Sequence, residues 1–96
     1  MKIEIKHDEA GSKFFANVNG KEAYLRYLFA GKGIMNMIKT YVPPELRGQG
    51  IAAEVVHAGL EYAKEKGYSV IPTCSYVETY IERHKEYEKL VSETHP

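Results

Sequence analysis

The sequence predicts an α/β (α+β) fold: a mixed sheet in which an antiparallel four-strand meander is followed by a β-α-β unit with parallel fourth and fifth strands and a C-terminal helix. Three observations carry this. Apolar and polar residues alternate through most of the first 42 positions, with the period of two that strands require. From Ile51 to Lys66 the period becomes helical. A short apolar run at residues 68–72 then follows, and a right-handed crossover through the helix makes the two flanking strands parallel.

Taken in order, residues 2–6 alternate as Lys-Ile-Glu-Ile-Lys and form the first strand. A turn over residues 8–12 leads into the second strand at residues 13–18. Asn19-Gly20 is a two-residue hairpin signal, because both positions tolerate positive φ. The third strand runs back over residues 21–29, rich in aromatics, and Gly31-Lys32-Gly33 turns the chain again. Residues 34–42 form the fourth strand, whose broken alternation around Asn36-Met37-Ile38 predicts a bulge or kink. Pro43-Pro44 ends it, since neither proline can donate to a ladder.

In the helix that follows, Ile51, Ala52, Val55, Val56, Gly59, Leu60 and Ala63 share one face and Glu54, His57, Glu61, Lys64 and Glu65 the other. Gly59 costs about 1 kcal/mol of helix propensity against alanine, which close approach of the helix to a sheet would offset. Gly67 is a natural C-terminal cap. Residues 68–72 form the fifth strand, and residues 75–90 a second helix with Tyr76, Val77, Tyr80, Ile81, Tyr87 and Leu90 available for packing.

Size and charge are those of one domain spanning residues 1–96. Hydrophobic residues make up 44% and charged residues 27%, which is globular and not disordered composition. The 13 basic and 13 acidic residues cancel, so no general electrostatic drive toward nucleic acid or a membrane follows. Tyr24 and Tyr27 are therefore read as sheet packing, because no basic interleaving marks them as a base-stacking platform. Cys74 is the single cysteine and has no metal-ligand spacing around it; metal ligands are not expected. There is no signal peptide pattern and no apolar run long enough for a spanning helix, so a cytoplasmic protein is expected.

The chemistry is concentrated between the fourth strand and the first helix, in Val42-Pro43-Pro44-Glu45-Leu46-Arg47-Gly48-Gln49-Gly50-Ile51-Ala52. The first amides of a helix lack internal partners. Gly48 and Gly50 let the backbone curl so that several N–H groups meet one anion, with the helix dipole behind them and Arg47 beside it. The dinucleotide pattern GxGxxG is not met, because Ile51, Ala52 and Ala53 follow Gly50, and the Gly-Lys-Ser/Thr ending of a P-loop is absent.

Arg47-x-x-Gly50-x-Ala52, at a strand-to-helix junction after a four-strand meander, resembles the pyrophosphate loop [Q/R]-x-x-G-x-[G/A] of the GCN5-related N-acetyltransferases. The chain is also similar to a compact bacterial subfamily of acetyltransferase-like proteins, through Lys39-Thr40-Tyr41-Val42-Pro43, Pro72-Thr73-Cys74-Ser75-Tyr76-Val77 and Tyr80-Ile81-Glu82-Arg83-His84-Lys85-Glu86-Tyr87. It departs from that subfamily's His-Thr-Glu-Val and His-Pro-Glu-Tyr at Lys39, Tyr41 and Lys85. Tyr41 replaces the Glu that the resemblance would nominate as general base.

The resemblance implies acetyl-CoA as the ligand. Arg47, Gly48, Gln49, Gly50, Ile51 and Ala52 would hold its pyrophosphate, and the backbone of Tyr41 and Val42 would hold its pantetheine arm, in a gap between splayed fourth and fifth strands. It places Cys74 near the thioester and makes a tyrosine of the last helix the proton donor to the leaving thiolate: Tyr80, or Tyr76 a turn earlier. Read as a residue alone, Cys74 is either a small buried side chain or a nucleophile that carries the acetyl group. A thiolate there needs nearby positive charge or a base, for which His84 and Arg83 are the nearest candidates. His84 is otherwise a surface or cap residue. The implied function is transfer of an acetyl group to an amine or other small nucleophile, which either attacks the thioester directly, by way of a base that the sequence does not clearly name, or meets an acetylated Cys74. The alternative is a weakly catalytic or non-catalytic acyl-CoA carrier or sensor, which the missing Glu and the short chain favour. The expected partners are acetyl-CoA and an unidentified acceptor, without nucleic acid or membrane, in a monomer or weak homodimer.

Overall fold

In a computed structural model of the chain, which describes residues 3–92, the alternating half folds into β1 (Lys6–Asp8), β2 (Lys13–Val18), β3 (Lys21–Phe29) and β4 (Ile34–Tyr41). Each pairs antiparallel with the next, and β5 (Ser69–Ile71) joins β4 in parallel, giving a sheet of order β1-β2-β3-β4-β5. Helix α1 (Ile51–Lys66) crosses between β4 and β5, and helix α2 (Ser75–Arg83) follows β5. Asn19 and Gly20 take φ of 53° and 76°, as a two-residue hairpin with right-handed strand twist requires.

The first strand lies later than its alternation suggests. Asp8 pairs with Lys13 across a short turn held by Gly11 N–H on Asp8 Oδ1 at 2.9 Å, and the ladder extends only back to Lys6. Turn geometry, not the apolar pattern, decides which residues pair. Ile3 and Ile5 still pack beneath the sheet, without strand pairing, and Lys2 lies outside the described residues. Strand β4 ends at Tyr41, because the Val42 carbonyl accepts from Arg47 Nε at 3.0 Å. The fifth strand contracts to Ser69–Ile71: Tyr68 N–H is taken by the Ala63 carbonyl at the end of α1, and Pro72 has no N–H to give.

The broken alternation in β4 is a bulge. Tyr27 pairs with Met37 and Arg26 with Lys39, so Ile38 is skipped. The phase of the strand reverses there. Met35 and Met37 are fully buried toward the helices, and beyond the bulge it is Thr40 that faces that side while Lys39 and Tyr41 face the other.

Both helices pack on one face of the sheet. Phe14, Leu25, Tyr27, Met35 and Met37 from the strands meet Val55, Val56, Leu60 and Ala63 from α1 and Val77, Tyr80 and Ile81 from α2 in one cluster. Each such aliphatic side chain contributes roughly 1.5–3 kcal/mol by leaving water. Gly59 allows the close seating of α1: a Cβ there would lie 2.6 Å from Leu25 Cδ2 and 3.4 Å from Met37 Cε.

The expected helix over residues 75–90 breaks at His84, which leaves helical space at φ −128° and ψ 78°. The chain resumes as a 3-10 turn, Lys85–Leu90. The break folds Tyr87 back onto α1, where its side chain is buried and its hydroxyl donates to Glu61 Oε2 at 2.5 Å. Burial of this large aromatic offsets the lost helical turn. Val91 then bridges Val70 beside β5. No helix of the described residues is long and apolar enough to cross a membrane.

Candidate functional site

Two strand-to-helix junctions meet at one end of the sheet. The first joins β4 to α1. Its polar centre is anchored at both sides by apolar residues: Leu46, from the 3-10 turn Pro44–Leu46, and Ile51 are buried against Ala23, with Val18 and Val42 around them. Leu46 was not singled out by its sequence context, yet this seat keeps the intervening Arg47-Gly48-Gln49-Gly50 facing outward. Gly48 and Gly50 have φ of 82° and 78°, and nothing lies within 4 Å of a Cβ at either. Glycine is thus required by backbone conformation, not by crowding. No side chain caps the N-terminus of α1. Val42, Leu46, Arg47, Gly48, Gly50, Ile51, Ala52 and Tyr76 line an open groove of about 340 Å³. This donor set fits an anionic phosphate ligand: uncapped amides, a guanidinium and a backbone free of Cβ atoms. Gln49 belongs to the loop but does not line the groove.

The second junction joins β5 to α2 and carries Cys74. The β4–β5 ladder stops at Asn36 opposite Ile71. Cys74 N–H donates to the Met37 carbonyl at 2.9 Å, and Thr73 Oγ1 lies 2.5 Å from Asn36 Oδ1, which pins this junction to the bulged part of β4. The Cys74 thiol donates to Thr40 Oγ1 at 3.4 Å. Cys74 is the N-cap of α2 in ordinary extended backbone, φ −69° and ψ 127°. Partial burial pushes its thiol up, but the Thr40 hydroxyl and the backbone amides of Val77, Tyr76 and Thr40 favour the thiolate by more, so the thiol lies below its ordinary range. The sulfur forms no close cap hydrogen bond, so the helix amides act on it at longer range than Thr40 does.

Tyr76, 40% exposed, links this junction to the first: it lines the loop groove and also a second groove of about 280 Å³ with Ala53, Thr79, Tyr80, Arg83 and His84. Burial pushes its phenol up, and Arg83 partly opposes that. Tyr80 is more buried, its phenol pushed up first by burial and then by Glu86, and its ring stacks on His84 at 3.9 Å. His84 Nδ1 lies 2.8 Å from the Tyr80 carbonyl, which can only accept, so Nδ1 carries the proton and Nε2 is left as the acceptor of the neutral ring.

The structure brings Cys74 to Thr40 and Tyr80 to His84. It does not bring His84 or Arg83 to Cys74. His84 is the C-cap of the helix that Cys74 starts, about 15 Å away along the axis at 1.5 Å per residue. The thiol is tuned by Thr40 and backbone amides instead. Thr40 was missed in the sequence, although the broken alternation before it was the signal: carried through, the phase change places Thr40 on the helix side. The side chain of Tyr41 points to the opposite face, where its ring lies 5.6 Å from that of Tyr24. Among the described residues no three His, Cys, Asp or Glu side chains are grouped as metal ligands would be.

Three comparisons with known proteins agree on a relationship. A family model described as GCN5-related N-acetyl-transferase matches residues 13–90. The chain is similar to Protein NATD1 of Gallus gallus and of Mus musculus, each 32% identical over 84 residues that make up 85% of this chain and 76% of the relative. It also superposes on a GCN5-like protein of Staphylococcus aureus, solved in solution by NMR, with a TM-score of 0.73 and 30% identity over 93% of this chain and 87% of that one.

Proposed function

We propose, from the premise that the chain belongs to the GCN5-related N-acetyltransferases, that its two junctions divide the work of acetyl transfer: the first holds acetyl-CoA and Cys74 at the second receives the acetyl group. The observation that carries this is the placement of an uncapped, doubly left-handed glycine loop and a thiol with lowered proton affinity at neighbouring strand ends, joined by Tyr76. The family's use of acetyl-CoA is general; the residue assignments are particular to this chain.

Arg47 and the amides around Gly48 and Gly50 would hold the pyrophosphate, each charged hydrogen bond contributing about 1.5–3 kcal/mol. Gln49, Ile51 and Ala52 complete the loop, and the open edge of β4 at Tyr41 and Val42 is the place for the amide-bearing arm. Bound acetyl-CoA supplies an acyl group already activated as a thioester. Thr40 and the first amides of α2 favour the thiolate of Cys74, the form that can form an S-acetyl bond. Tyr76, at the wall of the groove, holds a phenolic proton that it can give to a departing thiolate; Tyr80, deeper in the core, supports it and lines the adjoining groove with His84. Release to an acceptor amine forms an N-acetyl bond, breaks the S-acetyl bond and returns the thiolate of Cys74, and the proton lost by the amine restores the phenol of Tyr76.

A second reading, an acyl-CoA carrier or sensor, is favoured by one observation. Tyr41 stands where the resemblance expects a carboxylate, and its side chain faces away from Cys74. One experiment separates the readings. Thermal melting with and without CoA tests the loop, and intact-mass measurement after acetyl-CoA, with Cys74→Ala as control, tests the thiol. A melting shift together with a single acetyl adduct that disappears in Cys74→Ala and is discharged by amines supports the transferase. A shift and a stable adduct support the carrier. No shift at millimolar CoA would falsify both.

A further inference from the structure

The face of the sheet away from the helices carries an arrangement of charge that folding alone does not call for. Register places Lys13 opposite Arg26, and Arg26 opposite Lys39. Their strand neighbours Phe14, Leu25 and Tyr27 are buried toward the helices, so these three cations, from three adjacent strands, form one row on the outer face. Directly opposed like charges destabilise a sheet. Lys13 is neutralised by Glu22 at 2.7 Å, but Arg26 and Lys39 are exposed and have no carboxylate partner among the described residues. The neighbouring row is aromatic: Phe15 pairs with Tyr24 and Tyr24 with Tyr41. Both α1 and α2 pack on the opposite face.

The position of this corner is as informative as its charge. Lys39, Thr40 and Tyr41 are consecutive. Thr40 touches Cys74 on one side of the strand, and Lys39 and Tyr41 flank it on the other. The β4–β5 ladder has already ended at Asn36, and the residue that follows alongside this stretch is Cys74. Of the unpaired cations, Arg26 and Lys39 therefore lie together on the β3–β4 side, by the thiol, and Lys6 lies apart on β1; the acids of the face, Asp8 and Glu22, lie toward β1 and β2 and are occupied by Gly11 N–H and Lys13.

We infer that this outer face docks the acetyl acceptor, and that the acceptor is an acidic polypeptide segment in which the amine stands beside Asp or Glu residues. The inference rests on the acetyl-transfer reading above and names its acceptor class. Arg26 and Lys39 pair with the carboxylates of the segment, and the Tyr24–Tyr41 surface covers its aliphatic parts. A polypeptide fits better than a small metabolite because the row spans about 10 Å at about 4.8 Å per strand, while the open groove of about 300 Å³ on this face, lined by Lys13, Arg26, Asp8 and Glu22, does not reach Lys39 and carries carboxylates of its own. It fits better than a nucleic acid because a phosphate track needs more cations than Arg26, Lys39 and the distant Lys6, separated by Asp8 and Glu22, in a chain of net charge zero.

The test uses the full chain without CoA and two fluorescent peptides that share a central lysine, one flanked by Asp and Glu, the other by Arg and Lys, read by anisotropy at low and high salt. The acidic peptide is expected to bind at least about tenfold tighter, with a preference that high salt weakens. R26E/K39E is expected to lose at least about tenfold for the acidic peptide and to keep the CoA melting shift unchanged. R26Q/K39Q, which removes charge without reversing it, should lose less, and NMR shift mapping on the native chain should locate the peptide on β3 and β4 even if the reversal variant fails to fold. Equal binding of both peptides, no binding at millimolar concentration, or shifts confined to the helices overturns the inference. So does tighter binding of a single-stranded oligonucleotide, which would make the face a nucleic-acid surface. Peptide binding without a CoA shift sinks the acetyl-transfer reading instead, and a CoA shift without peptide binding sinks this one.

Discussion

The two strand-to-helix junctions stand at the ends of neighbouring parallel strands, and both lead into helices that no side chain caps. On the proposed reading they solve opposite problems. At the β4–α1 junction the backbone itself is the functional group, so two glycines take left-handed φ and the polar middle of the loop is pushed outward from an apolar seat at Leu46 and Ile51. At the β5–α2 junction a side chain is the functional group, so the backbone of Cys74 is ordinary and the surroundings are adjusted instead: Thr40 from the next strand, the first amides of α2 behind. A site for an extended anion needs several converging N–H groups, whereas a nucleophile needs one atom with its proton affinity lowered.

If the division of labour is real, each junction can be disabled without the other. The largest effect is expected from Cys74→Ser: intact mass after acetyl-CoA should show complete loss of the acetyl adduct, with CoA affinity by calorimetry within about twofold of native. Next comes G48A/G50A, where each alanine is held at a left-handed φ that costs roughly 1–2 kcal/mol. CoA affinity should fall by about one to two orders of magnitude, with lower apo melting temperature, while alkylation of Cys74 proceeds at the native rate. A fall in alkylation rate as well would mean that the junctions are one unit.

Arg47→Ala should weaken CoA by about tenfold, equivalent to about 1.4 kcal/mol, and flatten the salt dependence of binding. It should also free the Val42 carbonyl and spare Cys74. The smallest effect belongs to Thr40→Val. The Cys74 thiol is held below its ordinary range, so in the native chain alkylation by a neutral reagent reaches half its maximal rate at lower pH than for an ordinary thiol. Removing the Thr40 hydroxyl removes a stabiliser of the thiolate, and the pH–rate midpoint should move up. An unchanged midpoint would leave the helix amides as the sole cause.

Much of this was legible in the residues. The Asn19-Gly20 turn sets the β2–β3 register by itself, because residues equidistant from a two-residue turn pair, and Lys13 opposite Arg26 follows from it. The left-handed demand at Gly48 and Gly50 and the close approach at Gly59 were likewise marked by glycines with no other local use. Other features depended on elements distant in the chain. Lys39 completes the cation row only because Ile38 is skipped; without the bulge Arg26 would oppose Ile38. The reading that no basic residue interleaves the tyrosines overlooked Arg26, which stands between Tyr24 and Tyr27 in the chain, and on the outer face Tyr24 and Tyr41 lie beside Arg26 and Lys39. The separation of His84 from Cys74 and the break that returns Tyr87 to Glu61 depended on what α1 offered across the core.

By itself the sequence determined the element types and their order, the hairpin register, the left-handed glycine loop and the family, because these rest on periods of 2 and 3.6 and on backbone conformations that only certain residues tolerate. The tertiary structure alone decided that Thr40 meets Cys74, that Leu46 and Ile51 seat the loop and that three lysine and arginine side chains line up on one face. Those facts turn on a one-residue skip in β4 and on the packing of both helices against one side of the sheet. Contacts set by register and packing are made between residues far apart in the chain, and no local pattern encodes which side of a sheet will be left bare.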